Sequence, residues 1–119
     1  MSAGHLLLVA LGGALGSVLR HLVSIAAVAQ LGTGFPYGTL AVNIVGSALI
    51  GLAAGLGVTA EARLFLVTGL LGGFTTFSAF SLETGALFER SPALAALYVL
   101  ASVGLGLAAF AAVFWFSRR

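Results

Sequence analysis

Four long apolar stretches set the strictest limit on the fold of this chain. They run from about residue 6 to 31, 37 to 57, 64 to 88 and 92 to 116. Each can cross the hydrocarbon core of a bilayer as an α-helix, which takes about 20 residues for about 30 Å. Only 7% of the residues are charged, whereas about a quarter are charged in a soluble domain. The sequence therefore predicts an all-α integral membrane protein with four transmembrane helices.

The connections between these stretches are short, so we expect one four-helix transmembrane domain over residues 1–119. Ser91 is predicted to cap the fourth helix, with Pro92 in its first turn. The first residues lack the basic region of a secretory leader, and the apolar run after them is too long for one. We therefore expect the N-terminal stretch to be the first membrane helix.

Composition also excludes several classes of chemistry. The chain has no cysteine, which excludes disulfides and thiol catalysis, and its two histidines have no acidic cluster beside them to complete a metal site. No pair of titratable groups at one membrane depth offers nucleophile and base, so an enzyme is not expected. Five basic residues against three acidic ones do not indicate nucleic-acid binding.

The third stretch contains the segment LLGGFTTFSAFS, residues 70–81, which interrupts a helix. Its two glycines weaken the helix, and its hydroxyl side chains compete for backbone hydrogen bonds. Non-helical backbone persists at membrane depth only where protein or water satisfies it, and transporters use such breaks to bind ions. Phe77 and Phe80 share one face of the resumed helix. The residues fit an ion site and a glycine hinge with lipid-facing phenylalanines equally well.

The first stretch places Gly12, Gly16, Arg20 and Ser24 at successive i+4 positions. The glycine pair is a G-x-x-x-G step that lets another backbone come close. An arginine inside a membrane helix costs about 2.5–3.5 kcal/mol on insertion scales. Arg20 is therefore expected to face an aqueous vestibule, and the alternative is that it extends to the nearer membrane surface.

The other stretches carry fewer polar residues. Thr39 and Asn43 begin a row of residues at i+4 spacing on the second apolar stretch. The Asn43 amide either donates to an ion or links two helices by hydrogen bonds. Glu83, in the third, is either a functional carboxylate or, as we favour, the ion-pair partner of Arg20 or Arg90. The fourth aligns Tyr98, Ser102 and Gly106, as a hydroxyl track along a pore or as a packing seam.

Charge placement indicates a weak orientation preference. With four spans, Arg63, Arg118 and Arg119 lie on one side of the membrane, against Arg90 and in part Arg20 on the other. This small bias permits insertion in both orientations and antiparallel pairing of two copies. Four short helices enclose little space, so a pore or carrier of this size requires an oligomer.

Three motifs together resemble one known family. The runs GGALGSVLR at 12–20, GTLAVNIVGS at 38–47 and GLLGGFTTFSAFSLE at 69–83 are similar to those of the Fluc fluoride channels, also called CrcB proteins. The resemblance covers essentially the whole chain. It implies an antiparallel, dual-topology homodimer in the plasma (bacterial inner) membrane that lets fluoride leave the cell passively and so protects against fluoride toxicity.

The resemblance also implies roles for individual residues. The fluoride pathway would be lined by the pore phenylalanines, the pore-side amide and a polar track, which are Phe77, Phe80, Asn43, Tyr98, Ser102 and Thr39. Arg20 would belong to the vestibule. A structural sodium ion at the dimer centre would bind the backbone carbonyls of Gly72 and Thr75, and no organic cofactor is expected.

Two other classes of protein compete with this interpretation. A proton-coupled exporter of the small-multidrug type also has four spans, but it needs a membrane-embedded carboxylate in its first helix, which this chain lacks. A non-transporting scaffold would suit glycine-rich helices, yet it has no need for an asparagine beside a TTFSAF break.

Overall fold

The computed structural model describes residues 1–118 and contains helices and no strand in that range. Its four membrane-length segments are α1 (Ala3–Leu31), α2 (Tyr37–Leu56), a third span (Ala60–Arg90) and α6 (Pro92–Ser117). All four are long and apolar enough to cross a membrane, which confirms the predicted number and the approximate bounds. Arg119, which was counted in the charge argument, lies outside the described residues.

The third span consists of four helical pieces with one break. They are α3 (Ala60–Arg63), a π-helix (Leu64–Leu71), the single turn α4 (Gly72–Phe74) and α5 (Ser78–Arg90). Thr75 ends α4 with extended backbone, at φ −89° and ψ 162°. The break predicted within residues 70–81 is therefore present. The π-helix was not predicted, because a change from i+4 to i+5 hydrogen bonding has no residue pattern of its own.

The helix ends follow local sequence. The Ser91 hydroxyl accepts a hydrogen bond from the Leu94 N–H at 3.2 Å, and Pro92 occupies the first turn of α6, as predicted. Gly32 and Gly57, which follow α1 and α2, have φ of 80° and 69°, a conformation that other residues rarely adopt. These glycines let the chain turn sharply back toward the next helix.

Glycines bring helices into backbone contact at two interfaces. Gly12 and Gly16 of α1 are buried, and a Cβ at Gly16 would overlap the carbonyl oxygen of Leu70 in the third span. A Cβ at Gly51 of α2 would lie 2.6 Å from the Phe110 carbonyl oxygen of α6. The predicted close approach at the G-x-x-x-G step is confirmed, and it places α1 directly against the break.

Few large side chains are enclosed by a single copy of the chain. The buried hydrophobic residues are Val42, Leu71, Leu87, Ala95 and Tyr98. In the most apolar 18-residue stretch of each span, no more than 22% of the residues are buried. The remaining apolar faces are left for lipid or for another copy of the chain.

Candidate functional site

The side chain of Asn43 on α2 holds the break in the third span. Its Nδ2 donates to the Thr76 carbonyl oxygen at 3.0 Å, and its Oδ1 accepts from the Thr76 backbone N–H at 2.9 Å. Thr76 lies between α4 and α5. Backbone groups at membrane depth need partners. One amide side chain thus supplies both bonds that a continuous helix would have given to this residue.

The break frees the carbonyl oxygens of Gly72 and Thr75 from their helical donors. In a continuous helix the Thr76 N–H would donate to Gly72, and the Ala79 N–H to Thr75. Instead the Thr76 N–H donates to Asn43, and the Ala79 N–H donates to the Thr76 hydroxyl at 3.2 Å. The carbonyls of Gly72 and Thr75 can therefore bind a group outside the helix, such as a cation.

Arg20 reaches the break from α1. Its Nε donates to the Gly73 carbonyl oxygen at 3.0 Å, and the side chain is partly buried. The guanidinium group is therefore held against the third span. It also satisfies a carbonyl that the break deprives of its helical donor. The vestibule assigned to Arg20 stays a prediction.

Four aromatic rings form a continuous row beside the break. The ring centroids are 5.8 Å apart for Phe77 and Phe80, 5.1 Å for Phe80 and Tyr98, and 5.4 Å for Tyr98 and Phe35. We call these residues the aromatic row. Phe77 is 78% exposed at one end, whereas Tyr98 is fully buried. The row leads from the surface at the break through the interior to the α1–α2 loop.

An open groove of about 550 Å³, here called the break groove, lies at the Phe77 end of the row. The side chains of Asn43, Ser47, Thr75, Thr76, Phe77, Phe80 and Ser102 contribute to its lining. The Ser102 hydroxyl is buried and has no hydrogen-bond partner among residues 1–118. An unpaired buried hydroxyl is costly. Its position in this groove suits a donor to a bound ion or water.

Tyr98 connects the aromatic row to an acidic side chain. Its hydroxyl donates to Glu83 Oε1 at 3.3 Å, and Thr39 of α2 lies close to the same hydroxyl. Thr39 is 5% exposed. The structure thus brings the buried Thr39 and Tyr98 together with the partly buried Phe80. Ser102 and Phe80 both line the break groove.

The expected ion pair between Glu83 and an arginine is wrong. Within residues 1–118, Glu83 is hydrogen-bonded to Tyr98, whereas Arg20 donates to a carbonyl in the break. Arg90 extends to the α1–α2 loop, where it donates to the Gly34 carbonyl oxygen at 3.2 Å. In both cases the guanidinium group donates to a backbone carbonyl oxygen that lies outside a regular helical hydrogen bond.

A smaller cavity, here called the loop pocket, lies at the Phe35 end of the aromatic row. It measures about 260 Å³. Its polar lining includes Ser24, Thr33, Thr39, Glu83 and Arg90. The aromatic row therefore has a cavity at each end.

Sequence reasoning missed two residues of this arrangement. Thr76 was considered only for its hydroxyl, yet its backbone groups are what Asn43 binds. The available signals were a lone amide in an apolar helix and a break in the next helix, but the level at which these two helices pack, which sets the partner of the amide, cannot be read from the sequence. Phe35 was not among the candidate residues, although an aromatic residue just before Pro36 and α2 is a candidate to pack onto the neighbouring helices.

Comparison with known proteins gives this geometry a context. Residues 7–114 match the family described as CrcB-like protein, Camphor Resistance (CrcB). Three relatives are each named fluoride-specific ion channel FluC. The protein of Agrobacterium fabrum (strain C58) is 56% identical over 88% of this chain and 89% of its own length. That of Rhizobium meliloti (strain 1021) is 53% identical, with the same coverage. That of Chelativorans sp. (strain BNC1) is 52% identical over 96% of both.

These relatives are named as ion channels and not as enzymes, in agreement with the prediction that the chain is not an enzyme. The family match begins in α1 and ends near the close of α6, so it includes the break and all four membrane-length segments. The chain therefore belongs to the CrcB family of multi-pass membrane proteins.

Proposed function

We propose that this chain forms a fluoride channel in the plasma membrane, through which fluoride leaves the cell passively. The observation that carries the proposal is the break groove, in which an amide, a buried unpaired hydroxyl and two phenylalanine rings meet at a helix break. Among residues 1–118, no acidic or basic side chain lines the groove. The names of the relatives support fluoride as the ion.

Hydrogen-bond donors in the break groove suit a dehydrated anion. Fluoride holds water strongly, so a path through a membrane must replace that water with donors or positive potential. One N–H of the Asn43 amide is engaged with Thr76, and an amide has a second N–H to offer. The Ser102 hydroxyl is a further donor. Asn43 thus serves both as a link between helices and as an anion ligand.

The aromatic row continues the proposed path beyond these donors. Aromatic ring edges carry partial positive charge, which attracts an anion without the deep trap of a fixed cation. Phe77 and Phe80 are in contact, and Phe80 contacts Tyr98, whose hydroxyl group neighbours Thr39. We propose that fluoride passes Phe77 and Phe80 and then reaches the hydroxyls of Tyr98 and Thr39.

Arg20 would contribute positive potential rather than a binding site on the path. Its guanidinium lies at the break, held by the Gly73 carbonyl oxygen. A cation near the mouth of a pathway raises the local concentration of anions. This position supports the vestibule role that the sequence suggested.

We also propose an antiparallel, dual-topology homodimer. The break groove is open on one side, and many large apolar side chains are exposed in a single copy. The charge bias between the two membrane sides is weak, which permits both orientations. A second copy would bury apolar surface and close the groove.

A structural sodium ion at the centre of this dimer is the last part of the proposal. The carbonyls of Gly72 and Thr75 would hold it, because both lose their helical donors at the break. Carbonyl oxygens are suitable ligands for alkali cations. Bound there, the ion would compensate these dipoles and hold the two copies together.

The decisive experiment measures fluoride efflux from liposomes that contain the purified protein, with chloride efflux as the selectivity control. A passive fluoride channel gives rapid fluoride efflux once a potassium ionophore balances the charge, with little chloride efflux. Efflux only under an imposed proton gradient would instead favour a coupled exporter of the small-multidrug type. No efflux under either condition would overturn the proposal.

Protection from toxicity needs a test in cells. Expression of the chain should let a fluoride-sensitive bacterium grow in fluoride, whereas expression of the Phe80→Ile variant at the same level should not. Equal protection by both proteins would show that protection does not depend on the proposed path.

A further inference from the structure

The loop pocket offers the proposed pathway a second mouth, at the opposite end of the aromatic row from the break groove. Phe35, the last ring of the row, lines the pocket and meets Tyr98 edge-on at an interplanar angle of 84°. Thr39 lines the pocket as well. A role for this end of the molecule in transport rests on the proposed function.

Two side chains of opposite charge line the loop pocket. Glu83 accepts a hydrogen bond from Tyr98, and no cationic side chain pairs with it among residues 1–118. Its negative charge would repel an anion at this point. Arg90 lies in the last turn of α5, is exposed, and uses one of its N–H groups to donate to the Gly34 carbonyl oxygen at 3.2 Å. A guanidinium has five N–H donors, so most of them remain free.

We propose that Arg90 is the residue that sets the anion concentration at this mouth. Its charge offsets that of Glu83 and attracts fluoride to the loop pocket, so that Arg90 controls the rate of transport without binding the ion in the narrow part of the path. The hydrogen bond to Gly34 keeps the guanidinium beside the pocket. Nothing in this role requires Arg90 to touch a dehydrated ion.

The competing explanation is mechanical. The same hydrogen bond fastens the α1–α2 loop to α5, and the loop carries Phe35 onto Tyr98. Loss of Arg90 could then slow transport by displacing Phe35, with no contribution from its charge. Arg90→Lys keeps the charge and loses the planar donor group, whereas Arg90→Gln loses the charge, so the two variants separate these explanations.

The experiment compares fluoride efflux from liposomes for the wild type and for Arg90→Gln, Arg90→Lys and Arg63→Gln, at low fluoride concentration. Arg63→Gln removes a charge of the same kind from a residue outside the loop pocket. Each protein is measured at low ionic strength and again with about 0.5 M potassium gluconate, which shortens the range of exposed charges to a few ångströms.

We expect Arg90→Gln to lower efflux by about two- to fivefold at low ionic strength, the effect of one nearby charge in a wet site. Arg90→Lys and Arg63→Gln should stay close to the wild type, and the deficit of Arg90→Gln should disappear in gluconate. A deficit that persists in gluconate, or one shared equally by Arg90→Lys, would overturn the proposal, as would wild-type rates in Arg90→Gln. All three of these results leave the proposed channel intact, whereas absence of fluoride efflux from the wild type would overturn both.

Discussion

Replacing Asn43 by leucine tests whether a single side chain holds the broken third span in place. Leucine is close to asparagine in size but has neither a donor nor an acceptor. The change removes the bonds of 3.0 Å and 2.9 Å to the Thr76 carbonyl and N–H. Both backbone groups lie at the break, where no helical partner replaces Asn43.

The expected loss of stability follows from counting these bonds. Hydrogen bonds between membrane helices contribute about 0.6 kcal/mol on average and about 1.7 kcal/mol at most, so two of them give about 1–3 kcal/mol. The open break groove lets water reach Thr76, which lowers the cost. We therefore expect Asn43→Leu to reduce the free energy of unfolding by about 1–2 kcal/mol.

The measurement is unfolding of the purified protein in mixed micelles with an increasing fraction of SDS, followed by the fluorescence of Trp115, the only tryptophan. Ser47→Ala is the matched control, because Ser47 lies one turn from Asn43, lines the same groove and makes no hydrogen bond within residues 1–118. It should change stability by less than about 0.5 kcal/mol. Equal stability of Asn43→Leu and Ser47→Ala would refute the role of Asn43 at the break.

Other changes test the pathway, the packing and the sodium site. Phe77→Ile and Phe80→Ile should leave a folded protein but slow fluoride efflux by about tenfold or more, because isoleucine has no positive ring edge. Unchanged efflux would show that the rings do not line the path. Gly16→Ala should destabilise by about 1–3 kcal/mol in the SDS titration, because its Cβ would overlap the Leu70 carbonyl oxygen. Gly85→Ala, where the Cβ would meet open space, should not destabilise. Exchange of sodium for N-methylglucamine should lower the SDS midpoint of the wild type, and an unchanged midpoint would count against the sodium site.

Features that depend on local sequence could be predicted. The length of the apolar stretches predicted the four membrane-length segments, and Ser91 with Pro92 predicted the beginning of α6. The segment at 70–81 gave the break, since glycines and hydroxyl residues in one run weaken a helix whatever surrounds them. Phe77 and Phe80 were predicted to share one face of the resumed helix; their ring centroids lie 5.8 Å apart, although Phe77 immediately precedes α5.

Features that depend on how the helices meet could not be predicted. The partner of Glu83 was misjudged because it depends on how α5 packs against α6 and on where Arg90 finds an acceptor in the α1–α2 loop, and neither can be read from the sequence. The pairing of Asn43 with Thr76 links residues 33 positions apart. It exists only because α2 and the third span pack at that level.

The hydrogen-bond partners of the backbone groups at the break also limit the surroundings in which this part of the chain can lie. Arg20 of α1 and Asn43 of α2 satisfy the break groups that face these helices. Gly72 and Thr75, whose carbonyls also lose their helical donors, line the open groove instead. An unpaired carbonyl facing hydrocarbon costs several kcal/mol. The groove must therefore contact water, an ion or a polar surface of a second copy, and this requirement follows from the backbone without reference to which ion is transported.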